Sequence, residues 1–461
     1  MQSVKPMSKS KLAVFFLLFI IHFQVSAQEN SPFSRYGLGD LYPQQNILSR
    51  GMGGVSAAVS GGTAINTINP ASYGYIAPLS KTAPMFVTYD AGISIDARTL
   101  LSANPVGKYR STNFMPSYIQ LGIPLNRKGV ALVFGLRPYS RINYSVADNK
   151  RVFYQDGTSD SIQNIYQGNG GLNQVFAGLG KRWKNFAVGV NGGYQFGQKD
   201  ISTVVNFIND SVLYFKSNSP DTSRYWGLFV SPGISGYFKL KEHEDPKTKI
   251  IDKYFLNLGG SGTLQQSLNS NKDITRQTIY YDANGAPQQV DSVSKQPNIL
   301  GTISIPLTFN AGLQLQKTMN GANKWSLGVD YSSTQWTRYR YYNQPDQLSD
   351  AWQFRAGGEF CPNPLSGKTM WARSIYRAGF YTGRDYINAD GNGYNVLAFT
   401  LGASINIRNY NRQVPGQFSM LHTAIEIGKR GTGVNNVTEG FFKISAGFSL
   451  SDIWFIKRKY D

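Results

Sequence analysis

Few side chains in this 461-residue chain can carry out covalent chemistry. It has three histidines and one cysteine, Cys361. His22 falls in an apolar N-terminal run and His243 in a charged stretch, which leaves His422. A lone histidine with no second histidine or cysteine at ligand spacing makes no conventional metal site. It becomes a general base only if folding brings a serine and a carboxylate to it, and spacing along the chain does not establish that. "GLGKRW" (178–183) lacks the spacing of a phosphate loop. The chain is therefore expected not to be an enzyme and to hold no cofactor or metal. What is left is charge. Asp90, Arg137, Asp330, Arg355, Glu359, Arg377 and Glu426 all fall on the polar parity of alternating segments. Enclosed charges need partners or water. Either Arg137, Arg355 or Arg377 holds the carboxylate head of a ligand, or the set forms ion pairs joining a wall to a plug; ion pairing is the preferred reading.

The segments that position these charges alternate with period two. In 85–96, "MFVTYDAGISID", the odd positions are apolar and the even ones largely polar. The pattern recurs in 300–317 (Ile303, Ile305, Leu307, Phe309, Leu313), in 395–408 (Leu397, Phe399, Leu401) and in 418–430 (Leu421, Ile425, Ile427). Strands are expected near 84–96, 113–123, 129–147, 170–182, 185–199, 224–238, 252–268, 300–317, 323–338, 351–361, 374–386, 395–408, 418–430 and 440–455. That makes about fourteen, many of them about ten residues or longer, as a tilted membrane-crossing strand requires. The first, third, fifth and seventh connections run to about 16, 22, 24 and 31 residues, and several between them are tight turns, as in bacterial barrels with long outer loops. Aromatic clusters at strand ends ("YRYY" 339–342, "WKNF" 183–186, "DIWF" 452–455) suit interfacial girdles. The expected fold is all-β: a transmembrane antiparallel β-barrel, residues 84–461.

The N-terminus reads as a secretory signal peptide, residues 1–27. Lys5, Lys9 and Lys11 precede "LAVFFLLFII" and a small-residue cleavage site ending at Ala27. Net charge is +19 and charged residues make up only 16%. For an exported chain this excess points to anionic lipid and lipopolysaccharide head groups and away from nucleic acid.

Residues 28–83 lie between leader and barrel and contain "RGMGGVSAAVSGGTAINTINPASYG" (50–74). From Gly51 to Ala64 nearly every side chain is Gly, Ala, Ser or Thr, and none is charged. Such a segment packs by close backbone approach and suits the half-dry lumen of a wide barrel. Gly51, Gly53 and Gly54 permit backbone shifts, while Asn69, Pro70 and Ala71 fix a turn against the wall. This stretch resembles the N-terminal hatch of the FadL-type outer-membrane transporters of long-chain fatty acids and aromatic hydrocarbons. The closing "FFKISAGFSLSDIWFIKRKYD" resembles the ends of related barrels, including secretion-associated members. The resemblance implies fourteen strands with an N-terminal hatch in the lumen, in the cell outer membrane of a diderm bacterium. It implies passive uptake of hydrophobic small molecules. The alternative is a non-transporting scaffold that binds secretion or surface-motility machinery or cargo proteins, with a periplasmic or secretion partner. The polar stretch 269–299 suits protein contact.

Overall fold

In hydrocarbon a backbone N–H or C=O has no water to bond, so a strand that crosses a membrane needs a neighbour on each side and the sheet must close. That closure is what the chain builds. The computed structural model describes residues 31–461, except 62, 81–82, 105, 158, 209–214, 284–286, 366–368, 408–416, 433 and 454–461. The expected signal peptide lies outside the described residues.

One short strand precedes the wall, β1 (Asp40–Leu41). The wall begins with β2 (Phe86–Ala103), β3 (Val106–Pro124), β4 (Val130–Phe153), β5 (Ser159–Arg182), β6 (Phe186–Phe207) and β7 (Lys216–Glu244). It continues with β8 (Ile251–Thr263), β9 (Gln266–Tyr281), β10 (Pro287–Ile305), β11 (Thr308–Met319) and β12 (Ala322–Thr334). After the two-residue β13 (Arg340–Tyr341), β14 (Ala351–Phe360), β15 (Ile375–Arg384), β16 (Asn395–Asn406), β17 (Ser419–Arg430) and β18 (Val437–Ile453) complete it. All pairings are antiparallel, and β18 bonds back onto β2 along its length, from Val437–Ser102 to Ile453–Phe86. β9 continues β8 along β7, and β10 runs down into β11, which returns to pair with β8. Counting each of these stacked pairs as one gives a closed 14-strand barrel.

Side-chain direction follows the alternation. Tyr89, Ile93, Ile95, Leu313, Leu327, Phe399, Leu401, Ile425 and Ile427 are exposed on the outer face, where lipid stands. Asp90, Asp330, Thr400, His422 and Glu426 are buried inside. Two expectations are corrected. Ile303 and Ile305 lie buried inside, on the opposite face from Leu307 and Phe309, because the chain breaks at Pro306 between β10 and β11. The "YRYY" stretch is not a girdle: Tyr339 is buried beside Trp336 in a cluster with Phe33, Leu38, Tyr386 and Ile387. Trp183 and Phe186 do face outward.

The expected long loops are mostly strand. β2 turns into β3 between Ala103 and Val106, and β4 into β5 between Phe153 and Ser159. β4 to β7 run 22 to 29 residues, against 10 to 13 for β12 and β14–β17. Since about 9–11 residues cross the hydrocarbon, the first half of the wall stands as a tall palisade and the second half is low.

Inside, residues 31–80 run from the far rim, where strands turn at Ala103, to the near rim, where β2 starts. Ser31 meets Glu439 near the start of β18, Ile65 meets Asp90, and Arg127 at the near rim bonds the Ala83 carbonyl. The N-terminal segment therefore lies in the lumen.

Candidate functional site

The site is the contact between this inner segment and the wall, together with the cavity left between them. A four-residue helix, α1 (Ile47–Arg50), is capped by the Asn46 side chain, which accepts from Ser49 N–H at 2.9 Å. The Gly-Met-Gly-Gly run follows. Gly51 keeps helical backbone (φ −62°) and touches Gly402; a Cβ there would stand 2.9 Å from that Cα. Gly53 has φ +69°, and a Cβ would lie 2.6 Å from the Ala356 carbonyl oxygen. Glycine is required here for close approach as well as for the left-handed turn. Gly54 also has positive φ and lies against the Arg355 side chain. Asn69 caps the 3-10 turn Pro70–Tyr75, accepting from Ala71 N–H, while its amide donates to Ala57 C=O at 2.7 Å and to Ile234 C=O on β7 at 3.0 Å. Pro70 and Ala71 are buried against Gly189.

Charge-assisted bonds hold the segment. Arg50 reaches Glu426 on β17 at 2.6 Å and Ser94 on β2 at 2.8 Å. One Asp330 oxygen accepts both the Ser56 N–H (2.6 Å) and the Ala57 N–H (2.7 Å). Asp90 accepts from Ile65 N–H at 2.9 Å, and Gly53 N–H donates to Thr400 Oγ1 at 2.8 Å. Toward the far rim Arg98 meets Asp40 (2.5 Å), Asp96 (2.7 Å) and Glu439 (3.2 Å), while Arg430 meets Asp40 (3.0 Å) and Asp385 (2.9 Å). Burial opposes the charge on Asp40, but the Arg98 and Arg430 guanidiniums outweigh it and hold this carboxyl well below the usual range. For Asp385 burial wins over Arg430, and its pKa is raised.

The seven charges expected inside thus divide. Asp90, Asp330 and Glu426 bind the inner segment, and Glu359 pairs with Arg377 within the wall at 2.9 Å. Arg137 donates to Gln174 and to Thr67 of the inner segment, both at 2.9 Å. Arg355 donates to Ser332 at 2.9 Å and to Gln353 at 2.5 Å. Among the described residues neither of these two arginines has a carboxylate within ion-pair distance. Both line a cavity of about 280 Å³ whose other walls include Tyr139, Phe229, Trp336 and Tyr386. Sequence reading missed Arg50, Asp40, Arg98 and Arg430. Arg98 shares the inward parity of Asp90 and Asp96, a usable signal; Arg50 and Asp40 lie outside any alternating segment.

His422 has serines on both sides: Ser404 Oγ at 2.5 Å from Nδ1 and Ser449 Oγ at 3.1 Å from Nε2. The carboxylates in this chain of bonds stand one step or more removed: Ser449 donates to Asp90, and Ser404 accepts from Arg377, which pairs with Glu359; among the described residues neither carboxylate bonds the imidazole. With His422, Ser404 and Ser449 all fully buried, the constellation is a structural hydrogen-bond chain rather than a nucleophile–base–acid triad.

Solved barrels of very different sequence share this architecture. The chain matches the Pseudomonas putida toluene transporter TodX at 13% identity and TM-score 0.51, over 91% of this chain and 100% of that one. The Ralstonia pickettii toluene transporter TbuX matches at 13% identity and TM-score 0.50, over 88% of this chain and 97% of that one. At such identity the likeness is one of fold. No curated protein sequence matches the chain. A profile of the BamG family matches residues 7–461.

Proposed function

The chain belongs to the BamG family, and we propose that it is an outer-membrane barrel of a diderm bacterium through which hydrophobic small molecules, fatty-acid-like or aromatic, pass by a lumen that its N-terminal segment closes. The observation that carries this reading is the cavity between inner segment and wall. Its lining joins Arg137 and Arg355, neither with a carboxylate at ion-pair distance among the described residues, to the aromatic side chains Tyr139, Phe229, Trp336 and Tyr386, while its carboxylates Asp385, Glu426 and Glu439 are each paired with another arginine. That combination suits an amphiphile whose anionic head lies on the guanidiniums and whose apolar part lies on the rings. The inner segment then acts as the plug: the ligand enters the cavity and leaves when the glycine turn at 51–54 shifts from β14, β15 and β16.

The test is equilibrium binding of a fluorescent long-chain fatty acid to the purified protein. Arg355→Leu removes charged hydrogen bonds of about 1.5–3 kcal/mol, so affinity should fall by about 10- to 100-fold. Unchanged affinity, or no saturable binding by the parent protein, would remove the cavity from the account.

The scaffold reading draws support from the tall palisade. β10 residues 287–298 are exposed on both faces, a stretch of mostly polar strand open to protein contact. Purification in mild detergent separates the readings: co-purified lipid or fatty acid supports passage, and a stoichiometric protein partner supports the scaffold.

A further inference from the structure

The wall is not paired everywhere. β3 and β4 are bonded only between Ile119–Pro124 and Ala131–Leu136. Toward the far rim β3 runs on to Val106, bonded to β2, and β4 runs on to Phe153, bonded to β5. Each carries one open edge there, and the two edges form a seam. Proline accounts for the break: Pro116 and Pro138 stand just beyond the last pair, and neither has an N–H to donate.

The first part of the β4 edge already holds a strand. β1 adds antiparallel to it, Asp40 opposite Arg141 and Leu41 opposite Ser140. Tyr42 N–H donates to the Tyr139 carbonyl at 3.0 Å, and Asn143 N–H to Ser34 Oγ at 3.1 Å. These bonds fix the parity, so the backbone groups next in line along the seam belong to Ser145, Ala147, Asn149 and Arg151. Among the described residues no strand covers them. The palisade's other open edge, on β10, is broken by three register shifts and by Pro297, devices that discourage pairing. From Ser140 to Phe153 the pairing of β4 with β5 has no such irregularity. Beside the seam lies a groove of about 680 Å³ lined by Gly170, Gly171, the inner segment's Tyr42 and the outward-exposed Phe114, Phe196 and Trp226.

We infer that the β3–β4 seam is a strand-addition site, at which a partner polypeptide lays one extended segment antiparallel to β4 over Ser145–Arg151, continuing the course of β1. Main-chain bonds supply the affinity and alternate side chains the selectivity. The fitting segment is free of proline, apolar opposite Val146 and Val152, acidic near Arg151, and ends in an aromatic residue that seats in the groove. Tyr42 lines both this groove and the lumen cavity, but the strand edge at Ser145–Arg151 lines neither, and its test does not depend on any small-molecule ligand.

A photoreactive benzoylphenylalanine is placed singly at positions 144–152 of the full chain, irradiated in native membranes, and the adducts are mapped by mass spectrometry. The expected result is one partner segment, a two-residue period in yield, and linked partner residues that shift toward its N-terminus as the position on β4 rises. Ala147→Pro and Asn149→Pro, which remove N–H groups facing the seam and leave the β5 pairing intact, should cut adduct yield at least tenfold while the barrel keeps its heat-modifiable mobility. Adducts to lipid alone, to a second copy of this chain, without the two-residue period, or undiminished by proline would overturn the inference.

Discussion

Arg50 and Glu426 make the most direct test of how the inner segment is held. Both side chains are 4% exposed, and Arg50 Nε and Nη2 each lie 2.6 Å from one Glu426 oxygen. Tyr381 O–H donates to the other oxygen at 3.3 Å, too long to carry the charge alone. Arg50→Met therefore strands a carboxylate in the lumen. Removing one partner of a buried pair costs about 3–5 kcal/mol, and each 1.4 kcal/mol is tenfold, so the undocked population should rise about 10²- to 4 × 10³-fold. The reporter is a cysteine at Met52, which is 1% exposed and packs on Gly357, in a Cys361→Ser background. Its labelling rate with a bulky maleimide follows the undocked population. Adding Glu426→Gln to Arg50→Met removes the stranded charge and should restore most of the protection. Parent-rate labelling in Arg50→Met, or a double variant as fast as the single one, would refute the claim that this pair fastens the segment.

Gly379→Leu should dislodge the glycine turn from the opposite side, because a Cβ there runs into the Gly53 N–H; rapid Met52→Cys labelling in a barrel that still shifts on heating checks it. Asp330→Ala leaves the Ser56 and Ala57 N–H groups buried without their acceptor, at about 1–3 kcal/mol for each; the urea midpoint for release of the segment should fall, and Asp330→Asn should fall less. Asp40 has its pKa lowered in the fold, so its contribution is fully present above the ordinary carboxylate value and is lost as pH drops below about 4. Proteolysis of the inner segment should accelerate with acid in that range, and Asp40→Asn should flatten the profile.

The barrel was legible wherever the membrane imposes alternation. Ile93, Ile95, Leu401 and Ile427 face outward while Asp90, Thr400 and Glu426 face inward, because lipid on one side and a lumen on the other are different solvents. Beyond the hydrocarbon that contrast ends. In β10, residues 287–298 are exposed on both faces, so paired strand there looks like polar loop in the sequence. Registers that flip were also hidden: the break at Pro306 and the irregularity between Pro138 and Ser140 each change which parity faces the lumen. At the site, the glycine-rich stretch and Asn69–Pro70–Ala71 were readable as residues for close backbone contact. The Arg98–Asp40–Glu439–Arg430–Asp385 cluster was not, since closure of β18 onto β2 is what brings those positions together.

The central claim is that the chain closes its own lumen. Single-channel conductance in planar bilayers tests it, comparing the full protein with one lacking residues 28–75, both verified as heat-modifiable barrels. The account predicts a low, intermittent conductance for the full protein and a large steady pore for the deletion. Equal conductance from the two would contradict it.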